Sequence, residues 1–179
     1  NLIKLIGANE IGDPRFDSQR QPLEYQNPSM SRLGSGFQSI AYSFSAGSGR
    51  DLVYRRRRQD MMGVWGNTRD GYADNRERTS ALLLARTLPA YARKHMERLA
   101  AVLPGPYGSA LSPVPITYRG IGQSLDEYNS RSFPGSPTID RKHLTDLQRT
   151  LSAMYQAGLG GDTGAHNLLY DQSKGCLLY

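Results

Sequence analysis

Two polar residues near the end of the chain have four others between them, in Gly160-Gly161-Asp162-Thr163-Gly164-Ala165-His166-Asn167-Leu168-Leu169-Tyr170-Asp171. Transfer of a phosphoryl group needs a carboxylate that orients or deprotonates the acceptor hydroxyl. It also needs an amide oxygen that helps to hold a metal ion beside the phosphates. Asp162 and Asn167 supply that pair from one loop. The plainer reading is a surface turn in which Asp162 only caps a chain reversal.

Further candidates lie upstream. Leu33-Gly34-Ser35-Gly36-Phe37 places two glycines where backbone amides can approach phosphate oxygens, although a bare pair of glycines also marks an ordinary hairpin. Leu52-Val53-Tyr54 reads as a strand that runs into Arg55-Arg56-Arg57-Arg58. A guanidinium there can hold a phosphate through two parallel hydrogen bonds, or it can simply end a strand in water. Glu77, in Asn75-Arg76-Glu77-Arg78, stands one turn before an apolar helical stripe and is a candidate partner for Arg55, with Glu97 as the second choice. An exposed Glu between arginines is the plain alternative. The histidines His95, His143 and His166 are too scattered to read as a metal site, and His143 reads as a surface residue.

Local pattern sets the scaffold for these residues. Residues 1–31, punctuated by Pro14, Pro22 and Pro28, read as an arm or loop. Residues 37–44 and 52–54 read as two strands joined by a Gly/Ser turn. Residues 59–73 read as loop, and Asp74 or Asn75 caps a helix to about Thr87, with Ala81, Leu82, Leu84, Ala85 and Leu88 facing inward. Pro89 starts a second helix over residues 90–103. Residues 114–118 form a short strand, at a sheet edge because of Pro115. Residues 139–157 form the clearest helix, with Leu144, Leu147, Leu151 and Met154 at helical spacing, Asp140 or Thr138 near its start and Gly158 at its end. Strands at 167–170 and 176–179 close the chain.

Composition narrows the possibilities without choosing. The chain has 179 residues, 38% of them apolar, which suits one domain or two small lobes. The net charge of +6 suits a nucleotide, an acidic protein, nucleic acid or an anionic surface. The arginine run lacks interleaved aromatics, so specific nucleic-acid binding is not expected. A single cysteine, Cys176, excludes an internal disulfide and any zinc site built on two thiolates. No apolar run approaches the roughly 18 residues of a membrane span. The chain starts at Asn1 and ends on an apolar tail, so both ends are expected to have been trimmed.

The order of glycine loop, basic strand position, helix glutamate, amphipathic helix and Asp-x4-Asn resembles the protein-kinase-like superfamily over roughly residues 32–179. The segment Thr117-Tyr118-Arg119-Gly120-Ile121-Gly122-Gln123-Ser124-Leu125 is similar to the family's interlobe hinge, or else is a loop before a helical turn capped by Ser124. The small size and the Gly-Asp-x4-Asn-Leu-Leu-Tyr-Asp wording look most like the minimal effector kinases that Gram-negative pathogens inject through type III secretion; aminoglycoside phosphotransferases share a similar loop.

The resemblance implies an α+β, two-lobed kinase-like fold with a reduced C-lobe: an arm over 1–31, an N-lobe over 32–122 and a C-lobe over 123–179. It implies ATP and Mg2+ as cofactors, bound between the lobes. Asp162 is then the catalytic base, Asn167 a metal ligand, Gly34 and Gly36 the phosphate cover, and Glu77 the partner of Arg55. It further implies a monomer that acts on a host protein in the host cytoplasm, on Ser or Thr.

Three positions depart from the family. Gly160 stands at the catalytic-loop histidine, Arg55 at the strand lysine, and no metal-binding Asp follows the last strand before Tyr179. Those departures leave a second reading, a pseudokinase that binds a partner without transfer. A third reading is an ADP-ribosyltransferase built on Tyr118-Arg119-Gly120 with Ser132 or Ser136. It lacks a downstream acidic pair, because residues 129–179 contain no glutamate.

Overall fold

The computed structural model describes residues 29–35, 39–45, 47, 49–57, 68–103, 113–130, 139–160, 164–171 and 175–178. Its contacts divide the chain into two units: Asn1–Ser80 with Leu99–Arg119, and Ala81–Arg98 with Gly120–Tyr179. The sequence pattern divides it after residue 122; by contacts, Ala81–Arg98 fall with the second unit. The chain is mixed α+β, with antiparallel strand pairing throughout the described sheets. No described helix is long and apolar enough to cross a membrane.

The first unit is built on a five-stranded sheet: β1 (Met30–Ser35), β2 (Ser39–Ser45), β3 (Asp51–Arg57), β4 (Leu99–Leu103) and β5 (Val114–Tyr118), in the order β1-β2-β3-β5-β4. Alternation assigns its faces. Met30, Tyr42, Phe44, Tyr54, Val114 and Ile116 form one buried cluster. Tyr42 and Tyr54 face each other across β2 and β3, both nearly inaccessible. Burying an aromatic ring of this kind contributes roughly 1.5–3 kcal/mol. On the opposite face, Ser43, Val53 and Thr117 are also buried, so the middle of the sheet is covered on both sides.

Several expectations change here. β1 begins at Met30, inside the stretch read as an arm. Leu99–Leu103 is a strand, not the end of a helix, and only Ala90–Arg93 is helical (α2, after α1 at Thr68–Ala85). Leu-Ala-Ala-Val-Leu suits either state, and pairing with β5 decides it. β5 lies inside the sheet, yet Pro115 is tolerated for the expected reason. β3 pairs only with Tyr118 and Thr117, so at Pro115 the strand has just β4 beside it. α1 starts at Thr68, six residues before the expected cap, because Gly71 weakens a helix without ending it.

The second unit holds α2, β6 (Gln123–Ser124), α3 (Leu125–Ser130), α4 (Arg141–Gln156), a 3-10 turn at Ala165–Asn167, β7 (Leu168–Asp171) and β8 (Gly175–Leu178). Its sheet order is β6-β7-β8. The core gathers Ala85, Leu88, Ala92, Leu125, Ala153, Met154, Leu159, Leu168 and Tyr170. α4 is the helix the sequence announces. The Asp140 side chain accepts from the Lys142 amide at 2.8 Å, and Gly158 leaves the helix at φ +74°. Two leucines depart from the expected inward stripes: Leu84 on α1 and Leu144 on α4 are exposed, while Thr150, Ala153 and Met154 are buried.

Candidate functional site

The first unit carries one group of candidates. Gly34 on β1 pairs with Ala41 on β2, which pairs in turn with Arg55 on β3, so the three lie in one row across the sheet. The register of β1 shifts between Arg32 and Gly34, leaving Leu33 as an extra residue beside the glycine. Such a bulge bends an edge strand and re-aims the residues beyond it. A Cβ built on Gly34 meets nothing within 4 Å, and its backbone is not in the left-handed region. Among the described residues nothing crowds a Cβ at Gly34, and neither contact nor φ requires glycine there. Gly36 lies outside the described residues.

Arg55 shares a face with Val53 and is half-buried. Glu77, one of the candidates for its partner, is exposed on α1. Glu97 is the carboxylate that burial shields, at 7% exposure. Arg119, the residue of the ADP-ribosyltransferase reading, sits at the end of β5. Its guanidinium reaches the Asp51 carboxylate at 3.2 Å, and its amide donates to the Asp51 carbonyl at 2.9 Å.

The second unit carries the other group. Asn167 closes the 3-10 turn that leads directly into β7, and its backbone amide donates to the Gly164 carbonyl at 2.9 Å. Its side-chain amide nitrogen lies 3.2 Å from Nε2 of His166, which orients the carboxamide. An amide oxygen is a ligand for a hard cation, and magnesium takes few protein ligands, completing its shell with water and phosphate. Asn167 thus fits one position of such a shell. Among the described residues no group of three or more His, Cys, Asp and Glu side chains forms a metal cluster. Asp162 lies outside the described residues.

The strand that follows the turn, β7, is anchored by residues whose contacts sequence reasoning did not foresee. Tyr170, on β7, is buried and stacks edge-on against Tyr128 of α3 at 5.1 Å between ring centroids. His143 of α4 also packs edge-on against this ring, at 5.6 Å between centroids, so this histidine is not a plain surface residue. Gly122 has φ +115°, and a Cβ there would overlap the Tyr170 carbonyl. Only its glycine type, between the expected strand at 114–118 and the helical turn capped by Ser124, could have signalled this approach. Ser124 accepts from the Glu127 amide at 3.2 Å, so the hinge-like segment contains the capped helical turn.

Comparison with known proteins finds no matching family model and no matching curated protein.

Proposed function

We propose that this chain is a small protein-kinase-like phosphotransferase that uses ATP and Mg2+, with a two-lobed fold and a reduced C-lobe. The observation that carries the reading is the row Gly34–Ala41–Arg55: a glycine-containing hairpin between the first two strands, in register with a cation on the third. Protein kinases use this arrangement, with a glycine-rich loop over the phosphates and a basic side chain on the third strand against them. A helix, α1, follows that strand, and Asn167 stands in the turn before β7, which supports the same order of parts. In this reading Asp162 orients the acceptor hydroxyl and Asn167 helps to hold the metal. Arg55 and the amides around Gly34 and Gly36 balance phosphate charge. The bound metal would neutralise charge on the transferring phosphoryl group. A protein acceptor in a host cell, reached by bacterial secretion, rests on the sequence resemblance alone.

A second reading, a nucleotide-binding pseudokinase, is favoured by one observation: the Glu77 carboxylate is exposed while Arg55 replaces lysine. Radiolabelled ATP, a generic protein acceptor and Asp162→Ala as control separate the two. Label transferred by the wild type and lost in the variant is the expected result. No label, with ATP still raising the unfolding temperature, establishes the pseudokinase. No label and no thermal shift removes both readings.

A further inference from the structure

The second unit presents a compact basic surface that the phosphotransfer reading does not use. Between Arg86 and Arg98 the sequence has Arg86, Arg93, Lys94 and Arg98 against one carboxylate, Glu97. Glu97 is buried, whereas all four cations are exposed. The exposed charge of this stretch is therefore mainly positive, and on α4 Asp146, one turn before Arg149, is half-buried.

Two of the guanidiniums on this surface, one in the stretch and one from α4, are held by uncharged groups. Arg93 Nη1 donates to the Arg86 carbonyl at 3.2 Å, just past the end of α1, where carbonyls lack helical partners. Arg149, from α4, lies over the ring of Tyr91 with its Cζ 4.8 Å from the centroid. That places α2 and α4 side by side on this surface. A cation over a ring keeps its charge and its capacity to donate hydrogen bonds. Each arginine has thus lost part of its side-chain freedom without being neutralised. Pre-ordering of this kind lowers the cost of binding. Tyr91 itself is 42% exposed, a flat apolar platform among the cations.

We infer that this α2–α4 surface is a docking site for a short acidic segment of a partner protein. Carboxylates match the guanidinium fork in pairs. The cations are confined to one helical turn, its flanks and Arg149, a footprint suited to a few carboxylates. A nucleic-acid strand would call for a longer basic track, and along the same α4 helix Arg141 and Lys142 are interspersed with Asp140 and Asp146.

The test uses the full chain and a fluorescein-labelled octaglutamate peptide, with affinity read by anisotropy. Lys94→Glu combined with Arg149→Glu leaves the Arg93 hydrogen bond in place. The expected result is at least about a tenfold loss of affinity, with unchanged circular dichroism. Arg141→Gln combined with Lys142→Gln, at the far end of α4, should leave affinity within about twofold. Binding should also weaken as salt rises, because the pairs are exposed. Equal affinity of wild type and the Lys94/Arg149 variant, or no binding at all, overturns the proposal. Tighter binding of a single-stranded oligonucleotide of equal charge overturns the assignment of an acidic protein partner. None of these outcomes depends on whether the chain transfers phosphate.

Discussion

Nδ1 of His143 lies 3.3 Å from the hydroxyl of Tyr170, joining the first turn of α4 to the middle of β7. The Tyr170 ring is also stacked on Tyr128, and its carbonyl lies against Gly122. One residue therefore receives α3, α4 and the entry to β6, three positions after Asn167. Tyr170→Phe keeps the ring and deletes the hydroxyl. A hydrogen bond of this kind contributes about 1 kcal/mol, so the unfolding temperature should fall by a few degrees. His143→Ala should cost more, because it also removes the ring contact. If the phenylalanine variant melts with the wild type, stacking alone joins the two elements.

Gly122 and Gly47 make a matched pair. Both have positive φ, +115° and +78°, but a Cβ at Gly47 meets nothing within 4 Å while one at Gly122 strikes the Tyr170 backbone. Gly47→Ala should cost about 1 kcal/mol, the backbone term alone. Gly122→Ala adds displacement of β6 from β7 and should cost about 3 kcal/mol or more. Urea midpoints of the two variants test this ordering. Equal losses would mean that β6 can move away from β7 at little cost.

How much of this was legible in the sequence depends on where local and non-local forces agree. For α4, the Asp140 cap, the helical spacing and Gly158 all point one way, and the helix appears within two residues of its expected limits. For Leu99–Leu103 local preference is nearly neutral, and a partner strand more than ten residues away determines the state. Leu144 and Leu84 fit a helical stripe by spacing, but each falls just outside the buried arc. The row Gly34–Ala41–Arg55 was legible as residue types in order; the register that aligns them comes from strand pairing. The Tyr170 hub was not legible, because its partners come from three separate segments.

The Asp51–Arg119 pair gives a small, opposite kind of effect. Both side chains are about half exposed, at 48% each. Exposed pairs contribute roughly 0–1 kcal/mol and are screened by salt. Arg119→Ala should therefore shift the urea midpoint only slightly, and not at all in high salt. A loss well above about 1 kcal/mol would show that Arg119 does more than tie the end of β5 to the start of β3.

Gly34 gives the sharpest separation of folding from function. Its φ is ordinary, and a Cβ built there meets no described atom within 4 Å. A β-branched residue suits a strand better than glycine does, by up to about 1 kcal/mol. Gly34→Val should thus melt at or above the wild-type temperature. If phosphates lie over this strand as proposed, the same side chain occupies their approach, and ATP affinity should fall by about tenfold or more. Arg55→Ala should weaken ATP as well, through lost charge, with Arg55→Lys recovering part of it because both carry a cation. Thermal-shift titrations with ATP on the three variants measure both quantities at once. A Gly34→Val protein that is stable and binds ATP like the wild type would place the nucleotide elsewhere, leaving the bulged hairpin as a structural edge. A stable protein with selectively lost affinity would tie the backbone at Gly34 and the charge of Arg55 to one ligand.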